Sequence, residues 1–156
     1  MKKLELILIA GAVVGLLLAL LNVPHHTVIV SLFLAPLGIL YMYLGFAFFN
    51  DIPFGKIFKA ESYRGIGPWR IATAIGAGLG MSQLTIGFVF AIGNYPMTRS
   101  FLSYGIVLTS LMLLLALIRN RKEKHQFYRN IALRCAIFIV IGTVFLLVHV
   151  QQGQAT

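Results

Sequence analysis

Five blocks of about 20 apolar residues fill most of this 156-residue chain, which restricts it to structures that can exist in lipid. The blocks are continuously apolar rather than alternating, so they suit helices and not the period-two strands of a membrane barrel. We place the spans at Leu4–Leu21, Thr27–Phe49, Ile71–Gly93, Ser100–Ile118 and Ile131–Val150, each long enough as a helix to cross about 30 Å of hydrocarbon. Only 11% of the residues are charged, well under the roughly 25% of a water-facing globule. The expected fold is all-α, a polytopic membrane helix bundle forming one integral membrane domain over residues 1–156.

Positive charge sets the expected orientation. Lys2 and Lys3 precede the first span, Lys56, Lys59, Arg64 and Arg70 join spans two and three, and Arg119, Arg121, Lys122, Lys124 and Arg129 join spans four and five. The alternate connections carry only Arg99. Arg134 stands about one turn inside the fifth span, from where it can snorkel back to the basic side. The positive-inside rule then puts the N-terminus in the cytoplasm and the uncharged tail, residues 151–156, outside a bacterial inner membrane. The net charge of +9 is spread along these connections, where topology and anionic lipid headgroups account for it without nucleic acid. No A-x-A-like site follows the first apolar run, so it reads as a retained helix and not a cleaved signal. The single Cys135 excludes an intramolecular disulfide.

A shift of 72 residues superposes Gly15 on Gly87, Ala19 on Ala91, Asn22 on Asn94, Pro24 on Pro96 and Ser31 on Ser103. All five identities surround the short turn of a helical hairpin. Asn there can bond free backbone groups at a helix end, while Pro stops one helix and starts the next. A second echo pairs Tyr63-Arg64-Gly65-Ile66 with Tyr128-Arg129-Asn130-Ile131. The expected units are repeat 1 over residues 4–70, repeat 2 over 71–130 and a fifth helix over 131–150. Both hairpins enter from the same side, so the repeat is parallel.

The segments Leu20-Leu21-Asn22-Val23-Pro24 and Ile92-Gly93-Asn94-Tyr95-Pro96, with the apolar helices on either side, resemble the membrane hairpin of the GldL family. That family supplies the stator-type subunit of gliding motility and type 9 secretion in Bacteroidetes, and this chain is similar to membrane proteins of that phylum with tandem hairpins. The resemblance implies a hairpin fold. It does not carry the motor over, because no long cytoplasmic region follows the hairpin. The second and fourth spans also lack the carboxylate that a proton-driven motor needs at membrane depth.

Candidate functional residues are few. Ser82, Gln83 and Thr85 form the most polar stretch at mid-membrane, and they can line a substrate path or bond a neighbouring helix. Gly11, Gly15 and Ala19, together with Ala72, Gly76 and Gly80, recur every four residues, and with Gly87 and Ala91 they are expected at close helix contacts. Glu5 is the only acid within a span, to be neutralised by Lys2 or by Arg134 across the bundle. His25 and His26 have too few neighbouring ligands for a metal and read as turn residues. Ser82 and His149 lie at different depths, so they do not form a nucleophile and base.

Between spans two and three, Ile52, Phe54, Ile57 and Phe58 interleave with Lys56 and Lys59 as an interfacial segment. Tyr63, Arg64, Trp69, Tyr128 and Arg129 are expected as headgroup-level anchors. The basic segment Arg119–Arg129 reads as a hydrophilic loop. No paired carboxylates, metal cluster or activated nucleophile stands out, so the expectation is a non-enzymatic component without cofactor or metal. As a scaffold or assembly subunit it would pack against itself or a membrane protein partner. The alternative is a small transporter or channel using the interface between the hairpins.

Overall fold

The computed structural model describes residues 2–21 and 23–152. Asn22, the first Asn of the repeated turn, lies outside the described residues. Five long helices follow one another: α1 (Lys2–Leu20), α2 (His26–Phe49), α3 (Pro68–Ile92), α4 (Thr98–Glu123) and α5 (Gln126–Gln152). All five are long and apolar enough to cross a membrane, as expected of a polytopic bundle.

Helix α3 is the centre of the molecule, packed against α2, α4 and α5, while α1 rests mainly on α2 and α5 also packs on α4. Small side chains on α3 make that position possible. A Cβ added at Gly78 would lie 2.5 Å from the Tyr41 carbonyl oxygen of α2, and one at Gly45 would lie 3.1 Å from the Gly78 Cα. Toward α4, Gly80 meets the Thr109 backbone and Gly76 meets the Met112 sulfur. With no cavity-forming hydrophobic drive between helices in lipid, such close van der Waals approach is a main source of association. Tyr41, Ala74, Ala77, Met81 and Leu84 are fully enclosed along these seams.

The basic connections gather at one end of the bundle. The Arg119 guanidinium at the end of α4 lies 4.1 Å from the centre of the Trp69 ring at the start of α3, and Arg70 lies 4.8 Å from that of Phe127 at the start of α5. We call this the basic end, and the opposite one the far end.

At the far end the two hairpins match feature by feature at a spacing of 72 residues. α1 ends at Leu20 and α3 at Ile92, and α2 begins at His26 and α4 at Thr98. The Val23 amide bonds the Leu18 carbonyl at 3.0 Å, and the Tyr95 amide bonds that of Phe90 at 2.9 Å. His25 (φ 62°) and Met97 (φ 68°) both take the left-handed conformation just before a helix. His26 Nδ1 lies 3.0 Å from the Val23 carbonyl oxygen, and the Thr98 hydroxyl donates to that of Tyr95 at 2.7 Å. Gly15 is pressed on Val30 as Gly87 is on Leu102. Asn94 serves the turn through its own left-handed backbone (φ 51°), which Asn tolerates better than most residues, and not through a side-chain cap. Pro24 and Pro96 are exposed, two residues ahead of the helix that follows.

Three expectations need correction. The loop expected at Arg119–Arg129 is helical except at Lys124 and His125. Its Arg, Lys, Glu and Gln residues are good helix formers, and Lys124 stops α4 with a left-handed turn (φ 46°). Tyr128 is not a headgroup anchor; it is enclosed on the inward face of α5, edge-on to Phe127. Tyr63 also turns inward, its ring stacked on Phe46 and its hydroxyl donating to the Ile57 carbonyl. In the same connection the chain forms two short 3-10 turns, at Phe54–Lys56 and Ala60–Tyr63. Phe58 projects almost completely exposed, and Arg64, Trp69 and Arg129 are exposed as expected of anchors.

The α2–α3 contact gives a direct test. Gly78→Ala should lower stability by about 1–3 kcal/mol, because the new methyl meets backbone that cannot swing away. Gly55→Ala, which adds a methyl in open space, should leave it unchanged. Thermal unfolding in detergent micelles, followed by helical circular dichroism, reads both.

Candidate functional site

Among the described residues, the one charged cluster inside the bundle forms where α1, α2 and α5 approach one another. Glu5 is 6% exposed, on the face of α1 turned inward. The Arg134 guanidinium donates to both of its carboxylate oxygens, through Nη1 to Oε1 and through Nη2 to Oε2, the latter at 3.1 Å. The Tyr41 hydroxyl donates to Oε1 at 2.6 Å. Two parallel N–H donors and one O–H donor satisfy a carboxylate far better than one isolated contact. Tyr41 and Arg134 each lie eight residues from the basic-end terminus of their helix, a depth of about 12 Å along the axis.

Aromatic rings close the cluster. Arg134 lies 5.0 Å from the Phe48 ring centre and 5.9 Å from that of Phe49. Tyr41 is stacked on Phe49 and edge-on to Phe48 and Phe138. The rings exclude water and lower the local dielectric, strengthening the pair and raising the cost of leaving either charge alone. Arg134 therefore turns to Glu5 and does not snorkel away from the bundle, although it stays partly exposed. Depth and charge in the sequence leave Lys2 or Arg134 as the partner of Glu5; the structure gives Arg134, and the side chain of Lys2 lies outside the described residues. Tyr41 and its rings were missed. The available signal was the spacing of Tyr41, Phe48 and Phe49 along one face of α2, with a hydroxyl that needs a partner at depth.

One turn farther from the basic end on each of the three helices, an apolar cleft opens between α1 and α5. It has a volume of about 170 Å³ and is floored by Leu34 and Leu37 of α2 and by Thr85 and Phe88 of α3.

Of the mid-membrane polar stretch, Thr85 reaches the cleft, at its floor. Ser82 and Thr85 are buried, and the Thr85 hydroxyl donates to the Met81 carbonyl of its own helix at 2.7 Å. A Cβ at Gly38 of α2 would lie 3.7 Å from Thr85 Cβ, so the two hairpins are in contact at this depth. Gln83 is half-buried and, among the described residues, has no hydrogen bond to a neighbouring helix. The expected packing residues divide between two seams: Gly11 and Gly15 meet Phe33 and Val30 of α2, while Gly76, Gly80 and Gly87 meet α4. Ala19 and Ala91 are half-buried, and Ala72 is exposed. Gly45 and Gly78, at the tightest α2–α3 contact, are not part of the expected four-residue stripes.

Compared with known proteins, the chain matches no protein family, no curated protein and no solved structure.

The cluster predicts an asymmetry between its two charges. Arg134→Met strands a buried carboxylate and should cost about 3 kcal/mol, near the lower bound for breaking a buried pair. Glu5→Gln leaves a cation that can turn outward, and it should cost less than half as much. Tyr41→Phe removes one donor and should cost about 1–2 kcal/mol. Denaturant titration in mixed micelles ranks the three.

Proposed function

We propose that this chain is a non-enzymatic scaffold or assembly subunit of a bacterial inner membrane, built from a duplicated helical hairpin plus a fifth helix. The observation that carries this reading is the close-packed contact between the hairpins. The seam that a transporter would use brings Gly45 onto Gly78 and Gly38 onto Thr85, and Ser82 is enclosed beside it. A solute path needs polar groups along a space, and here the hydroxyl of Thr85 is spent on its own helix. The one buried carboxylate is likewise paired, since Arg134 and Tyr41 bond Glu5 and join three helices.

Duplication is supported by the turn geometry repeated 72 residues apart, where helix ends, backbone bonds, left-handed residues and the pressed glycine all coincide. It agrees with the likeness to a GldL-type hairpin, and the absence of a carboxylate on α2 or within the apolar part of α4 keeps the motor out of the reading. The N-terminus and both basic connections are assigned to the cytoplasm by the positive-inside rule, and the C-terminus to the outside.

The test is flux through the purified chain in liposomes. This reading predicts that leakage of protons, monovalent ions and small neutral solutes equals that of empty liposomes, and that Gln83→Leu changes nothing. In native membranes, chemical crosslinking should yield a discrete species larger than the 17.2 kDa chain. Flux above the empty-liposome level that Gln83→Leu removes would overturn it in favour of the transporter.

A further inference from the structure

We propose that the cleft between α1 and α5 holds one hydrocarbon chain of an anionic phospholipid, with its headgroup at the basic end beside Arg134. The inference does not depend on the scaffold reading.

The lining selects the chain. Walls and floor are aliphatic or aromatic except for Thr85, whose hydroxyl is turned onto the Met81 carbonyl. The cleft therefore offers no hydrogen bond to a polar ligand, and an apolar cavity without such partners does not hold ordered water. Its rims, Ile9 and Val13 on α1 with Ile137 and Ile141 on α5, are partly exposed on the outer surface of the bundle. In a membrane that surface is bathed by acyl chains.

Size selects a single chain over a helix. The α1 wall runs from Ile9 to Leu16, about 10 Å along the axis, whereas a helix with its side chains is about 10–12 Å across. The wall is thus only about as long as a helix is wide, so a crossing helix could seat no more than a few side chains there, whereas a flexible hydrocarbon chain can lie along the floor.

Charge selects the headgroup. Ile9, Phe138 and Leu37 each stand about one turn beyond Glu5, Arg134 and Tyr41, so the cleft ends on the charged cluster. Glu5 uses one donor from each terminal nitrogen of Arg134, and a guanidinium has five donors in all. Arg70 lies at the same basic end, its guanidinium over Phe127 and its Nε buried without a hydrogen-bond partner. Phe127 in turn shares a small hollow with Arg134 and Asp51. Arginine donors at the mouth of a hydrocarbon slot are the complement of a phosphate that trails an acyl chain.

The test uses the full chain in phosphatidylcholine liposomes doped with phosphatidylglycerol carrying a mid-chain diazirine. The comparison is phosphatidylcholine carrying the same labelled chain. After photolysis, peptide mapping should place phosphatidylglycerol adducts on residues 9–16 and 137–145 about tenfold above outward positions such as Val28 and Leu111. A tenfold ratio corresponds to about 1.4 kcal/mol. Val13→Trp, at a rim position already 48% exposed, should lower the cleft adducts to the level of those outward positions. Adducts spread evenly over all exposed apolar positions, or a cleft with none, would overturn the proposal. Equal cleft labelling by both lipids would overturn the headgroup assignment, and it needs no variant to be read.

Discussion

A carboxylate inside a lipid-embedded bundle must be neutralised, and that requirement at Glu5 organises the arrangement of the outer helices. Helix α1 is otherwise a plain apolar rod whose contacts are mainly with α2. The bonds from Arg134 tie its first turns to α5 as well, and so connect the first helix of the chain to the last. Without them α5 would keep its packing on α3 and α4, while α1 would have only its apolar packing on α2 to fix its position. The same tie joins α1 to α5 at the basic end alone, so the space above it becomes a cleft and not a packed seam.

Glycine has the complementary role in the interior. Lipid tails compete with apolar side chains on equal terms, so the central helix is held by surface match and by proximity of backbones. Gly78 against the Tyr41 carbonyl fixes how closely α2 and α3 approach, and that approach places the Tyr41 ring among Phe48, Phe49 and Phe138. Packing at the seam and hydrogen bonding at Glu5 thus share one residue. A change at either should be felt at the other, because Tyr41 cannot serve Glu5 from a displaced α2.

The membrane class and the positions of the five helices were readable from the sequence, because hydrocarbon thickness fixes the length of an apolar block and charge marks its ends. The need to neutralise Glu5 was readable for the same reason, with Lys2 or Arg134 as the partner; the choice of Arg134 depends on how α1 and α5 meet. Tyr128 was misread because an aromatic next to Arg129 at a span boundary looks like an anchor. Which way it faces depends on the rotation of α5, and that is set by contacts distant in sequence. The helical character of residues 119–123 and 126–129 was hidden by their charge, which is neutral toward helix formation. The Gly45–Gly78 contact was hidden because Gly78 belongs to a second stripe on α3, Ala74-Gly78-Ser82, beside the Ala72-Gly76-Gly80 one, while Gly45 has no small residue four positions away on α2.

The most direct test of this account exchanges the two charges. Glu5→Arg alone would bring two guanidinium groups together in the ring of aromatics, and Arg134→Glu alone would do the same with two carboxylates, so each should be severely destabilised in lipid. The account predicts that the double variant regains at least about 2 kcal/mol over the sum of the single effects, within the usual range for directly bonded partners. If the single effects simply add, the pair does not hold α1 to α5, and the central claim is wrong.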